Sequence, residues 1–237
     1  MHTRPAFSAL MLAVAGAYGQ TQPPIQLVTT SGALRGGAPG TVIEGAANGG
    51  SLTVTALAFS HWPGTTGTPP KFPGVMVYDV VSQPFLSPIL SGQEEALLPG
   101  VLSQALAKPG PEVIAVVFED GSSWGDAKWV QHMKQERAYL LKELTICLQG
   151  LQQAQQSERG GASRTAVAAQ LQSAANNSRA AAVDGSDLKC VRMAWDGVLL
   201  NMRNAYAREG SLGVLLKNQV DTVTTLLVRV RSYGNVQ

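Results

Sequence analysis

The chain is short of the residues that build most catalytic centres. Its 237 residues include two cysteines and three histidines. Cys147 and Cys190 are far too distant for a CxxC motif, and no HExxH occurs. The usual spacings for zinc and for thiol redox chemistry are therefore missing. No glycine-rich phosphate loop leads from a strand into a helix, which removes the P-loop pattern. Serines and acids are plentiful, so counting alone leaves a Ser/His/Asp triad open. Charged residues are 14% of the chain and form no like-charged block, which argues against nucleic acid as a partner. No apolar run reaches the roughly 20 residues of a transmembrane helix.

What is present starts with an address. "MHTRPAF" carries Arg4 and no acid, and "SALMLAVAGA" is an apolar run of signal-peptide length. Ala17 and Gly19 then supply small residues before Gln20. A secretory signal over 1–19 is expected, with no lipid-attachment cysteine after it. The mature chain is expected in the periplasm or outside the cell. In an exported chain an even cysteine count favours a disulfide, so Cys147–Cys190 is the expected bridge.

The charge is unevenly spread. From Gln20 to Asp126 there are three bases against eight acids; from Ala127 onward there are fourteen against eight. Halves of opposite sign imply either mutual docking, which salt should weaken, or an anionic partner.

The two halves also differ in period. In the first, "SLTVTALAFSH" alternates apolar and polar residues, "VMVYDVV" puts Val75, Val77 and Asp79 on one face, and "PEVIAVVF" is a near-continuous apolar strand. Glycine- and proline-rich stretches separate them. Short strands without strong helices between them predict an antiparallel, immunoglobulin-like β-sandwich over 20–126. "EEALLPGVLSQAL" is ambiguous, and "GALRGGAPGTVIEGAANGG" reads mostly as turn.

After Asp126 the pattern becomes helical. Val130, Met133, Leu140, Leu141, Leu144, Leu148 and Leu151 form one stripe behind Asp126 as N-cap. A second helix is expected after a Ser186 cap, with Leu188, Val191, Trp195, Val198, Leu199, Met202 and Tyr206 in its stripe. A third carries Leu212, Leu216, Val220, Val223, Leu227 and Val230, although its β-branched residues leave 221–231 open between helix and strand. "TAVAAQLQSAANNSRAAA" has alanine but little bulk, so 152–185 reads as a weak helix or mobile connector. The fold class is thus α+β: a sandwich, then a helical hairpin or small bundle over 127–237. In the hairpin version the two cysteines meet.

The joint between the halves, "VVFEDGSSWGD", holds three acids within eleven residues. The structural reading gives each residue a duty: Asp120-Gly121 turns the chain, Gly125 lets it reverse, and Asp126 caps the helix. The functional reading is a cation site from Glu119, Asp120, Ser122 and Asp126, whose hard oxygens suit Ca²⁺ although the spacing is not that of an EF-hand. A metal-dependent hydrolase would use Glu119, Asp120 and Asp126 there. Trp62, beside Pro63, is the best candidate for stacking on a glycan, while Trp195 belongs to a helix core. His61 and His132 read as surface groups.

"LTVTALAFSH" followed by "EVIAVVFEDGSSWGD" and a basic amphipathic helix resembles a pattern in uncharacterised exported proteins of soil bacteria. The resemblance covers Leu52 to Arg137. It implies a sandwich placed before helices and brings no activity and no site residues. Taken together, the sequence predicts an exported, non-enzymatic structural or interaction protein. Its partner is a protein or glycan, without cofactor, nucleic acid or transmembrane segment, and its oligomeric state is left open. The hydrolase and the glycan-binding module are the alternatives.

Overall fold

A computed structural model of the chain describes residues 23–33, 39–61, 74–83, 86–104, 111–205 and 211–234. The expected signal at 1–19 and Trp62 lie outside the described residues. The fold is mixed α+β, with two antiparallel sheets followed by helices. The strands are β1 (Ile25–Ala33), β2 (Pro39–Asn48), β3 (Val54–His61), β4 (Gly74–Asp79), β5 (Glu94–Gln104), β6 (Val113–Phe118) and β7 (Ser123–Gly125). The first sheet runs β1-β2-β5 and the second β4-β3-β6-β7.

Two strands are longer than their sequence suggests. β2 extends through glycines and alanines because it pairs on both sides, with β1 and with β5. β5 contains Pro99, which is tolerated because the strand lies at a sheet edge.

The second sheet has two buried faces. Leu57, Phe59, Tyr78, Val116 and Phe118 share a core with Ile25, Ile43 and Ala46 of the first sheet. Ala56, Ala58, Ala115 and Val117 form the other face and pack against Val130 and Met133. The register slips between Val54 and Ala56 where β3 pairs with β6. That bulge puts Val54 in the sheet-to-sheet core and turns Thr55 toward the helices. Alanines on the second face let a helix lie close to the sheet.

Among the described residues four helices follow: α1 (Ala127–Arg159), α2 (Arg164–Ala181), α3 (Gly185–Ala205) and α4 (Leu212–Gly234). The segment at 161–182, open between helix and connector, is mostly α2. Ser163 caps it, accepting the Ala166 N–H at 3.2 Å. Val167, Leu171, Ala175 and Ser178 bury one narrow stripe, and its small residues suit close approach to α1. Residues 221–231 are helical within α4, where Leu216, Val223, Leu227 and Val230 are buried. The β-branched Thr222 and Thr225 are accommodated by donating their hydroxyls to the carbonyls of Asn218 and Asp221.

The cap of α3 also differs from expectation. Asp184, not Ser186, accepts the Asp187 N–H, at 2.8 Å, and the helix starts one residue before Ser186. The helices run up, down, up and down, with α1 touching the other three. At one position α1 contributes no side chain to its contact with α3: a Cβ on Gly150 would lie 2.9 Å from the Trp195 ring. The fully buried Trp195 fills the space that glycine leaves.

The hairpin-with-bridge expectation is overturned. Because α2 is a full helix, α3 returns parallel to α1 and the cysteines meet different turns. Both are buried and free. The Cys147 thiol donates to the Ala194 carbonyl at 3.3 Å, and the Cys190 thiol to the Glu136 carbonyl at 3.4 Å. Glu136 lies about three helical turns before Cys147 on α1.

Candidate functional site

The joint is built by β6, β7 and the start of α1. Gly121 makes the turn with φ +82°. Gly125 sits at φ +97°, and a Cβ there would lie 2.2 Å from the Ile114 carbonyl oxygen. Only glycine fits that reversal. Asp126 then accepts the N–H groups of Lys128 and Trp129 at 2.9 and 3.1 Å, so the expected cap is present.

The other joint residues are spent in the same manner. The Asp120 carboxylate accepts both the hydroxyl and the N–H of Ser122, at 2.6 and 2.9 Å. Those two bonds hold its pKa below the ordinary carboxylate value. Glu119 accepts the Thr53 N–H at 3.4 Å. Lys134 donates to the Gly121 carbonyl at 2.8 Å, tying the turn to α1. Among the described residues no group of three His, Cys, Asp or Glu side chains is arranged to hold a metal ion. Ser122 therefore serves the turn of its own loop.

The most concentrated polar geometry lies deeper, at Arg137. Its side chain is 1% exposed. Nε and Nη2 donate to the two carboxylate oxygens of Asp79 at 3.0 and 3.1 Å. Nη2 also donates to the Thr55 hydroxyl oxygen at 3.1 Å, and Nη1 to the Tyr233 carbonyl at 2.8 Å. The Thr55 hydroxyl in turn donates to the Val117 carbonyl at 3.2 Å. Asp79 also accepts the Val81 N–H at 2.8 Å, closing the turn after β4. One guanidinium thus ties β3, β4, α1 and the end of α4 together. A fork-to-fork pair of this kind fixes orientation as well as charge.

A second polar region runs along the α1–α3 contact. Glu136, Glu143 and Asp187 are buried there. Lys189 places its ammonium 3.0 Å from Glu136, and Lys142 lies 3.0 Å from Asp187 and 3.1 Å from Glu143. Burial draws the Lys142 pKa down, but its bonds to Asp187 and Glu143 outweigh this and leave it raised. Glu143 Oε2 is buried without a hydrogen-bond partner among the described residues. Beside these carboxylates, burial pushes Cys147 up to about 12, helped by Glu143. Cys190 reaches about 12 through burial and then Glu136. Thiols held neutral in this way are poor nucleophiles.

Trp62 is outside the described residues, as is the side chain of His61. His132 is part of the α1 surface, 3.6 Å from Glu136 and edge-on to Trp129. Trp195 is core, as expected. Arg137 and Asp79 were not among the sequence candidates, yet a signal was there. Arg137 occupies a stripe position between Met133 and Leu140, and Asp79 shares a strand face with Val75 and Val77. Two opposite charges on apolar faces are a cue for a buried pair.

No family model, no curated protein and no solved structure matches the chain.

Proposed function

We propose that this is an exported, non-enzymatic structural or interaction protein of the cell envelope or extracellular space. One observation carries the reading: the joint's acids are committed to backbone duties. Asp126 holds two helix N–H groups and Asp120 holds Ser122. The joint is thus a rigid splice between sheets and helices.

The strand order β1-β2-β5 and β4-β3-β6-β7 supports an immunoglobulin-like sandwich, a scaffold common in cell-surface proteins. Export is supported by Arg4, the apolar run after it and the small residues Ala17 and Gly19. β1 begins beyond the expected cut before Gln20, so cleavage leaves every described element intact.

The interaction surface is best supported at the open side of the sandwich, with an extended segment of a partner protein as occupant. β1 is an edge strand of nine uncharged residues, and β7 stops after three. Between them lies a groove of about 430 Å³ walled by Ile25, Leu27, Val113 and Trp124. Strand edges of this kind take up extended chains through main-chain hydrogen bonds.

The test is export of the full chain with a photo-crosslinking residue at the exposed Gln26. The expected result is a mature protein starting at Gln20, with one mapped partner segment whose adduct is lost in a folded Trp124→Ala variant. An uncleaved chain retained in the cell contradicts the export reading. An adduct pattern unaffected by Trp124→Ala contradicts the edge as interaction surface.

A further inference from the structure

A cavity of about 160 Å³ lies where the turn after β4 meets three helices. It is walled by Val81 and Ser82 from the turn, Leu140 and Leu144 from α1, Met193 from α3 and Leu226 from α4. Val81, Leu140 and Leu144 are at most 4% exposed, whereas Met193 is 37% exposed. The cavity therefore has a deep aliphatic floor and a thioether at its outer rim.

We propose that this cavity is a binding site for a small, uncharged, apolar molecule of single-ring size. Three features define that class. First, size: apolar cavities near 150 Å³ take up guests such as benzene or xenon. Second, chemistry: among the described residues no charged side chain lines the wall, and Ser82 is the one side chain there with a hydroxyl. An ionic guest would find no counter-charge, and a buried charge without a partner is strongly disfavoured. Third, entry: methionine is unbranched and readily changes rotamer, so Met193 can swing aside at the rim without moving the backbone.

The position gives binding a consequence. Val81 follows Asp79 in the turn, and the Val81 N–H bonds the same carboxylate that holds Arg137. A guest touching Val81, Leu140, Leu144 and Leu226 at once spans the sheet side and two helices already tied by Arg137. Occupancy stabilises that arrangement, because a ligand that binds only the folded state shifts the unfolding equilibrium.

The test uses the full mature chain with ¹³C-labelled methyl groups, titrated with benzene. The methyl signals of Leu140, Leu144 and Met193 are expected to shift and saturate together. At ten times its dissociation constant benzene should raise Tm by about 3–6 °C. Met193→Trp is expected to close the rim, fold normally because the position is partly exposed, and abolish both effects. Xenon provides a second readout that needs no variant: a crystal under xenon pressure should show one atom within the Val81–Leu140–Leu144 floor. Methyl shifts that fail to saturate, an equal Tm rise in Met193→Trp, or a floor without xenon would overturn the assignment.

Discussion

Helix α1 has two different neighbours, and the contrast explains how the chain is held together. Its N-terminal part lies on the second sheet. There Val130 and Met133 meet Ala56, Ala58 and Ala115, and one ion pair, Arg137–Asp79, is sealed from water. Further along, α1 faces α3 through several acid–lysine pairs whose lysines reach solvent, with side-chain exposures of 43 and 53%. The first contact combines close packing with one exacting polar fit. The second is an apolar seam that also buries the carboxylates of Glu136, Glu143 and Asp187, with their lysine partners at its solvent edge. The contact between the halves rests on apolar packing and a buried pair, and the weakening by salt expected of surface charges does not follow from this geometry. An ion pair buried beneath apolar side chains is screened far less than a surface pair.

Breaking the sheet contact should have the largest effect. Arg137→Ala leaves Asp79 buried without its partner and should lower stability by about 3–5 kcal/mol in urea denaturation. Replacing both residues together, Arg137→Met with Asp79→Leu, should recover most of that loss. Next comes the packing itself. Ala58→Leu forces bulk between sheet and α1 and should cost about 1–3 kcal/mol. Third, Asp126→Ala removes the cap at the splice and should cost about 0.5–2 kcal/mol, with any partner binding intact.

Alkaline pH probes the α1–α3 side without a mutation. Cys147 and Cys190 have folded pKa values raised to about 12, above the ordinary thiol value of about 8.5 in an unfolded chain. Their stabilising contribution is complete below that unfolded value and is lost as pH rises toward 12. The urea midpoint should fall over that window, and Cys147→Ala should flatten the slope. Thiol titration of the unfolded, unreduced protein should find two free thiols. The smallest effect is expected at the exposed Lys217–Asp221 pair, where Lys217→Ala should change stability by less than about 0.5 kcal/mol.

The two halves were also unequally legible. Alternation revealed β3 and the apolar run revealed β6, because both have a buried face that their own residues declare. β5 was hidden: Glu94, Glu95 and Pro99 do not read as a strand, and its conformation comes from pairing with β2. α2 was obscured for a related reason. Its stripe of Val167, Leu171, Ala175 and Ser178 is small, and its helicity depends on α1 beside it. With that segment open between helix and connector, the hairpin version in which the cysteines meet remained available, and α2 as a full helix removes it. At the joint, the Asp126 cap and the Asp120-Gly121 turn were readable because local chemistry sets them. The Arg137–Asp79 pair joins residues 58 positions apart, and no local pattern states which buried charge meets which.

Sheets and helices are expected to unfold as one body because α1 is locked to the second sheet. Native-state hydrogen exchange at rising denaturant tests it most directly, comparing amides of β3 with those of α3. One shared opening free energy is expected for both sets, splitting into two in Arg137→Ala as the helices open first. Two separate opening energies in the unaltered protein would contradict it.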